Sequence, residues 1–256
     1  MGLLEGKVAI ITGAARGIGQ AYSIRFAKEG AKLVVCDVLD CSETKEKVEA
    51  EGAECLALKV DVTDEESTKK MAEDTINKYG RIDILLNNAA IYGGLVMKPF
   101  ENISVEEWDK VMSVNLKGLF LCSKAVAPQM KKQKKGKIIN ISSTTFHMGV
   151  PMLLHYVTSK GGVVGFTRAL SNELGEYGIN VNAIAPGFTM TDASKGITGG
   201  NKELFEQLAS MQANMQAIKR REEPEDLTGA AVFLASDDSD FIAGVTLPVS
   251  GGAGLA

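Results

Sequence analysis

Tyr156 and Lys160 stand four residues apart in the stretch NISSTTFHMGVPMLLHYVTSK (Asn140 to Lys160), and Ser143 lies thirteen residues before the tyrosine. Four residues make about one helical turn, so a helix here projects the phenol and the ammonium from one face. The run KGKIINIS, Lys135 to Ser142, reads as a strand, which puts the Ser143 hydroxyl at the mouth of a sheet. Three groups that donate or move protons could converge there. A free tyrosine titrates near ~10, too high for a base at neutral pH. A lysine ammonium a few ångströms away favours the phenolate, and a drop of two or three units, each worth ~1.4 kcal/mol, brings the phenol near a working range. By itself the pair is equally an ordinary surface pair on a helix, so the rest of the chain has to decide.

A second group of residues could hold phosphate. TGAARGIGQA, Thr12 to Ala21, follows a strand-like run and opens a helix-like one. Gly13 permits a tight turn, Gly17 lets backbone approach a pyrophosphate, and Gly19 lets the helix pack closely on the sheet. The helix N-terminus offers free N–H groups and the positive end of its dipole. Asp37 ends the next strand-like run eighteen residues after Gly19, where a carboxylate accepts from ribose hydroxyls and repels a 2′-phosphate. That favours NAD over NADP. Arg16, in the loop itself, is the one residue that could turn toward a 2′-phosphate.

Groups so distant in sequence need a scaffold. Short apolar, β-branched runs recur at 7–13, 32–37, 55–62, 82–90, 137–142, 179–187 and 244–252. Helix-like stretches lie between them at Gly17–Glu29, Thr44–Glu51, Glu65–Tyr79, Val105–Lys132 and Met152–Tyr177. Alternating strands and helices predict an α/β fold, a Rossmann-type doubly wound parallel sheet with both faces covered. There is no linker or composition shift, so residues 1–256 are expected to form a single dinucleotide-binding catalytic domain. The stretch 189–218 breaks the rhythm and follows NAIAPG at a strand's C-terminal end, where open α/β sheets bind ligands. It is expected to be a lid insertion.

Bulk composition excludes other classes. A net charge of −4 over 256 residues argues against nucleic-acid binding. The basic run KKQKK, Lys131 to Lys135, reads as a solvated helix end before a turn at Gly136. Cys36, Cys41, Cys55 and Cys122 show no metal spacing, and Cys36 and Cys122 sit in apolar runs as core residues. His147 and His155 have no partnering carboxylate or cysteine spacing, so no metal site is expected and both read as pocket-lining or surface residues. No run reaches the ~18 apolar residues of a membrane span, and the N-terminus lacks a signal-peptide pattern. A cytoplasmic, reduced setting is expected.

Taken together, Gly13-x3-Gly17-Ile18-Gly19, NNAA at Asn87–Ala90, Asn115 in SVNLKG, Ser143, and Tyr156-x3-Lys160 resemble the short-chain dehydrogenase/reductase family, from Lys7 to Gly252. Within it, STTF…HYVTSKGGVVGFTRAL and NMQAIKR…EDLTGAAVFLASDD are most similar to the NAD-dependent secondary-alcohol dehydrogenases that include 1-phenylethanol dehydrogenase. The resemblance implies Tyr156 as acid/base, Ser143 as the hydroxyl holding the substrate oxygen, Lys160 beneath the tyrosine and Asn115 supporting a proton relay. It implies adenine beside Asp61 and Val62, and adenosine ribose near Asn88. Pro186, Gly187, Thr189 and Thr191 would hold the nicotinamide amide, and the nicotinamide's positive ring would help lower the phenol's pKa. Two positions depart from the pattern: Ala90 replaces a usual Gly, tightening the loop beside the cofactor, and Ser250 replaces an acidic residue, expected to matter at a subunit contact.

The expected function is reversible NAD-dependent oxidation of a secondary alcohol to a ketone. The alternatives are an NADPH-dependent 3-oxoacyl (acyl carrier protein) reductase, which Asp37 and the lack of a basic docking patch oppose, and a non-catalytic dinucleotide sensor, which retention of Tyr156 and Lys160 opposes. Candidate pocket residues Tyr92, Gly93, Gly94, Leu95, Thr145, His147, Leu153, Leu154, Phe188, Met211 and Met215 suit a small hydrophobic or aryl substrate. Apolar surface on 105–132 and 152–177 predicts a homotetramer with two-fold helix contacts.

Overall fold

The computed structural model describes residues 2–253. Seven parallel strands form one sheet in the order β3-β2-β1-β4-β5-β6-β7. They are β1 (Val8–Thr12), β2 (Lys32–Asp37), β3 (Cys55–Lys59), β4 (Ile84–Asn87), β5 (Gly136–Ile141), β6 (Ile179–Pro186) and β7 (Thr246–Val249). Each falls inside a run read from sequence except β5, which begins one residue before the 137–142 run. The helices are α1 (Gly17–Lys28), α2 (Ser42–Ala50), α3 (Glu65–Tyr79), α4 (Val105–Met112), α5 (Leu119–Gln133), α6 (Thr144–Met148), α7 (Leu154–Leu174), α8 (Asp192–Lys195), α9 (Lys202–Met215) and α10 (Pro224–Ala235).

Alternation along the strands builds two cores. Ala9, Ile11, Leu33, Val35 and Leu86 face α1, α2 and α10, meeting Tyr22, Phe26, Val48 and Leu227. Ile10, Val34, Cys36, Leu85 and Ile138 face the other way, against Met71 of α3 and Cys122, Val126 and Met130 of α5. Burying each such aliphatic side chain contributes about 1.5–3 kcal/mol. Covering both faces explains why the strands read as continuous apolar runs. From β1 the chain winds outward through β2 to β3, then crosses back to β4 on the other side of β1. That reversal opens a crevice at the C-terminal ends of β1 and β4, where ligands bind in such sheets.

The structure differs from the sequence expectations in three respects. The long helix expected over 105–132 is interrupted by a π-helical stretch, Ser113–Gly118, between α4 and α5. The turn expected at Gly136 is made by Lys134 in the left-handed region (φ 54°), while Gly136 enters β5, where a Cβ would meet Met130 Sδ at 2.6 Å. Helices α6 and α10 have no counterpart in the expected elements, although Pro224 at the first turn of α10 followed by Glu225 and Asp226 is a helix-start signal. The 189–218 segment, expected as a lid insertion, carries α8 and α9 and puts Met211 and Met215 against the crevice, with Phe205 buried against Phe188 at a ring separation of 5.9 Å. Among the described residues no helix is long and apolar enough to cross a membrane.

Candidate active site

The Gly-rich turn leaves β1 and enters α1. Gly13 adopts φ +65°, and a Cβ there would stand 2.7 Å from Ala89 Cα. Gly19 packs against the Gly13 carbonyl and the Asn88 side chain. Gly17 (φ +60°) is different: a Cβ would meet only Thr191, at 3.6 Å, so its outer face lies open toward the cleft. Asn88 Nδ2 donates to the Thr12 and Gly13 carbonyls at 3.0 and 2.9 Å, so its donors hold the turn in place. We expect Gly13→Ala to destabilise the fold more than Gly52→Ala (φ +85°, nothing within 4 Å of a Cβ), which isolates the backbone cost of about 1–3 kcal/mol. Urea unfolding of the two variants checks the ordering.

At the outer end of the turn, Asp37 is half-buried where β2 stops. Its Oδ2 accepts from Ala15 N–H and its Oδ1 from Leu39 N–H, both at 3.1 Å. Arg16 is exposed, and its positive field reaches Asp192, which Lys195 bonds at 2.7 Å. Asp61 accepts from Thr63 and lies at the surface, while Val62 is buried against Gly118.

At the inner end, Ser143 caps α6, accepting from Thr145 N–H at 3.2 Å, and α7 presents Tyr156 and Lys160 beside it. Both are buried, with the Lys160 Nζ 5.5 Å from the Tyr156 ring centroid and donating to the Ile141 carbonyl at 2.8 Å. Tyr92 stacks obliquely on Tyr156 at 5.0 Å. The pKa of Tyr156 was expected to fall. Among the protein's own groups the opposite holds: burial pushes the phenol up, Tyr92 adds to this, and hydrogen bonding with Ser143 only partly opposes it. Burial likewise lowers the Lys160 ammonium to about 8. Desolvation disfavours the charged form of each group, and the lysine's hydrogen bond goes to a backbone carbonyl.

Gly13, Arg16, Gly17, Ile18, Gly19 and Asp37 line one end of a cleft of about 1340 Å³, Asp61, Val62 and Asn88 its flank, and Ser143, Tyr156 and Lys160 the other end. Pro186, Gly187, Thr189 and Thr191 join the ends: Thr144 Oγ1 donates to the Pro186 carbonyl at 3.1 Å, and Thr191 faces Gly17. Asn115 is outside the lining. It sits in the π-helical stretch with Oδ1 accepting from Ile91 N–H at 2.8 Å and Nδ2 donating to Ser159 Oγ at 3.0 Å, tying the loop after β4 to the second turn of α7.

Of the candidate pocket residues, Tyr92, Gly93, Thr145, Leu153, Phe188, Met211 and Met215 line the cleft; Gly94, Leu95, His147 and Leu154 do not. Neither histidine lines the cleft: His147 takes the surface alternative of its reading, and His155 fits neither alternative. His147 is exposed on α6, and His155 is fully buried, its Nε2 2.9 Å from Glu107 Oε1, while Lys98 bonds the other Glu107 oxygen at 2.6 Å. Ala90 is exposed at the cleft wall. Ser250 packs beside Gly187, with Glu222 next to it, behind the cleft wall and outside its lining. Nothing in RREEPED separates Glu222 from its charged neighbours, so sequence alone could not single it out. Among the described residues no cluster of His, Cys, Asp or Glu could hold a metal.

Residues 13–254 match the family model described as Enoyl-(Acyl carrier protein) reductase. The chain is 37% identical over 251 residues to the 3-oxoacyl-[acyl-carrier-protein] reductase FabG of Staphylococcus epidermidis, covering 96% of this chain and 98% of that protein. It is 38% identical over 250 residues to the 2-dehydro-3-deoxy-D-gluconate 5-dehydrogenase of Dickeya dadantii, covering 97% and 96%. Carveol dehydrogenase from Mycobacterium avium, solved in complex with NAD, superposes with a TM-score of 0.92 at 29% identity, covering 99% of each chain.

Proposed function

The chain belongs to the short-chain dehydrogenase/reductase family, and from that premise we propose that it is an NAD(H)-dependent oxidoreductase interconverting a secondary alcohol and a ketone. One observation carries the reading: the glycine cradle with Asp37 and the Ser143–Tyr156–Lys160 group open into the same cleft. The cradle fits a dinucleotide, because Gly17 is open on its outer face and the first turn of α1 leaves N–H groups for a pyrophosphate. Gly13, Arg16, Gly17, Ile18 and Gly19 would hold the phosphates, Asp37 the adenosine ribose, Asp61, Val62 and Asn88 the adenosine flank, and Pro186, Gly187, Thr189 and Thr191 the nicotinamide amide. When bound, the oxidised dinucleotide supplies a hydride acceptor and a positively charged ring.

The chain's residues then handle the proton. Ser143 holds the alcohol oxygen, and Tyr156 takes its proton during oxidation or returns it during reduction. Lys160, with its pKa near 8, is still mostly protonated at neutral pH and keeps positive charge close to the phenol. Asn115 acts by position, holding the Ile91 loop and Ser159 of α7, and its support of a proton relay runs through that scaffold. The substrate end is walled by Tyr92, Leu153, Phe188, Met211 and Met215, which suits a small hydrophobic or aryl alcohol. Residues 1–256 are proposed to act as one catalytic domain. A cytoplasmic setting accords with four free cysteines.

A second reading, an NADPH-dependent 3-oxoacyl reductase, is favoured by the Staphylococcus epidermidis relative. The charged residues at the cleft are mixed, Arg16, Lys110 and Lys195 beside Asp109 and Asp192, and form no basic stripe for a carrier phosphopantetheine. A non-catalytic sensor would not require a hydroxyl, phenol and ammonium grouped in the cleft. Assays of NADH formation over aryl and alkyl secondary alcohols, run beside NADPH consumption with a 3-oxoacyl thioester, separate the three. NADH formation from the alcohols is the expected result; thioester turnover alone would replace this reading with the second.

We also propose a homotetramer. Val105, Phe120 and Leu154 remain exposed on α4, α5 and α7, and a second apolar group, Phe233, Phe241 and Val245, is exposed around α10 and the approach to β7. Two separate self-complementary faces close a tetramer with two-fold axes. Light scattering at micromolar concentration should give four times the chain mass, and Phe120→Asp should reduce it to a dimer or less.

A further inference from the structure

Glu222 is a buried carboxylate, 5% exposed, placed directly behind the cleft wall. Its Oε1 accepts from the Thr189 hydroxyl at 2.5 Å and its Oε2 from Gly187 N–H at 3.2 Å. Its carbonyl accepts from Met190 N–H at 2.7 Å, so its backbone is fixed to the same segment. Among the other buried carboxylate, lysine and histidine side chains, Asp83 has Arg81, Lys137 has Asp240 and His155 has Glu107, while Lys160, which donates to the Ile141 carbonyl, is the other one without a charged partner among the described residues. Glu222 bonds no cation among the described residues. Arg220, on its own segment, is taken up by Asp226.

A buried carboxylate without a cation is costly, and a positive charge arriving nearby would offset that cost. Its position says which charge is meant. Gly187 and Thr189 line the cleft between the phosphate cradle and Ser143, the stretch a nicotinamide ring must occupy if hydride is to pass beside Tyr156. That ring is cationic when oxidised and neutral when reduced.

We propose that Glu222 is a positioning residue that biases the site toward the oxidised dinucleotide, its ionised carboxylate acting through the Thr189 hydroxyl and across the Gly187 backbone. The inference rests on the NAD(H) reading above. Ionised Glu222 draws the Thr189 proton to itself, so the hydroxyl turns its oxygen lone pairs to the cleft, and the bond dipole adds to the carboxylate's charge. Protonation removes the charge and frees the hydroxyl to donate elsewhere. The groups that face this carboxyl are Thr189 after β6, Tyr22 of α1, Asp226 of α10, Arg220 and, beside Gly187, Ser250. Burial raises the Glu222 pKa to about 7 with Asp226 adding to it, while the bonds from Thr189 and Gly187, and Arg220, act against it.

A bound cation favours the charged carboxylate, so affinity for the oxidised dinucleotide is highest above about pH 7 and falls as pH drops through that value. Calorimetric titration of wild-type chain with NAD should show about tenfold tighter binding at pH 8 than at pH 6, with NADH binding nearly flat. Glu222→Gln can hold both partners with its oxygen accepting from Gly187 N–H and its amide N–H donating to the Thr189 oxygen, and should remove the pH step for NAD alone. Equal pH profiles in wild type and variant would overturn the proposal. Failure of wild type to bind either dinucleotide at any pH would overturn the NAD(H) reading itself.

Thermal unfolding without dinucleotide supplies an independent readout. The folded chain keeps the Glu222 proton to about pH 7 while the unfolded chain releases it near 4.5, so wild-type stability relative to Glu222→Gln should fall as pH rises across that window and level off above it. A pH-independent difference would also overturn the proposal. If the glutamine variant folds poorly, Thr189→Val serves instead, and should shrink the NAD pH step by removing the hydroxyl relay; an undiminished step would count against that relay.

Discussion

Tyr156→Phe should lower turnover by about 10²–10⁴-fold while leaving the dissociation constant for NADH within a few-fold of wild type. The substitution deletes one oxygen and keeps the ring that stacks on Tyr92 at 5.0 Å, so the cleft wall survives and the proton-transferring group does not. The size of the loss follows from the phenol's surroundings. The neighbouring groups are poor substitutes for it: Ser143 is a weaker acid, burial pushes the Tyr92 phenol up to about 12, and Lys160 is engaged with the Ile141 carbonyl. Lys160→Ala should damage both turnover and cofactor affinity, because the lysine also lines the cleft and its loss leaves the Ile141 carbonyl without that donor. Steady-state kinetics together with NADH fluorescence titration of the two variants distinguish the patterns. Ordinary turnover in the phenylalanine variant would remove the mechanism.

Cofactor choice should give the second large effect. NAD is expected to be favoured over NADP in kcat/KM by on the order of a hundredfold or more. Asp37 is fixed at the end of β2 by the Ala15 and Leu39 amides, so a 2′-phosphate brought to the ribose position would press negative charge on a carboxylate that cannot move aside. Like charges that close, in a partly desolvated cleft, cost several kcal/mol. Arg16 is the cation available to compensate, and its field is shared with Asp192 at the start of α8. Asp37→Ser should therefore relax the preference chiefly by improving NADP, and adding Arg16→Ala should take that improvement away. If the wild-type enzyme uses both cofactors equally, Arg16 outweighs Asp37 and the 3-oxoacyl reductase reading moves ahead.

The residues that failed their sequence readings share a cause. His155 looked like a pocket or surface residue because one residue's burial depends on what α4 brings against it, and Glu107 lies 48 positions away. The downward shift expected for the Tyr156 phenol came from pairing it with Lys160 alone, whereas the depth of both groups decided the direction. Asn115 was legible as a motif residue, yet its partners, Ile91 and Ser159, come from two other elements.

Local patterns sufficed for the sheet and the cradle. The inner strands read as apolar runs because they are buried on both faces, while the edge strands β3 and β7 are half-buried, and the glycines of the first turn stand where a Cβ would collide with backbone or block the approach to it. The one-turn spacing of Tyr156 and Lys160 likewise fixes their common helix face without reference to the rest of the chain. What the sequence could not determine is every quantity that depends on neighbours distant along the chain: the strand order that opens the crevice beside β1 and β4, and the burial of Glu222 behind Thr189, 33 residues upstream. Periodicity is a property of a segment and survives translation into structure. Desolvation and electrostatic partnership are properties of a position in space, and only the packed fold assigns them.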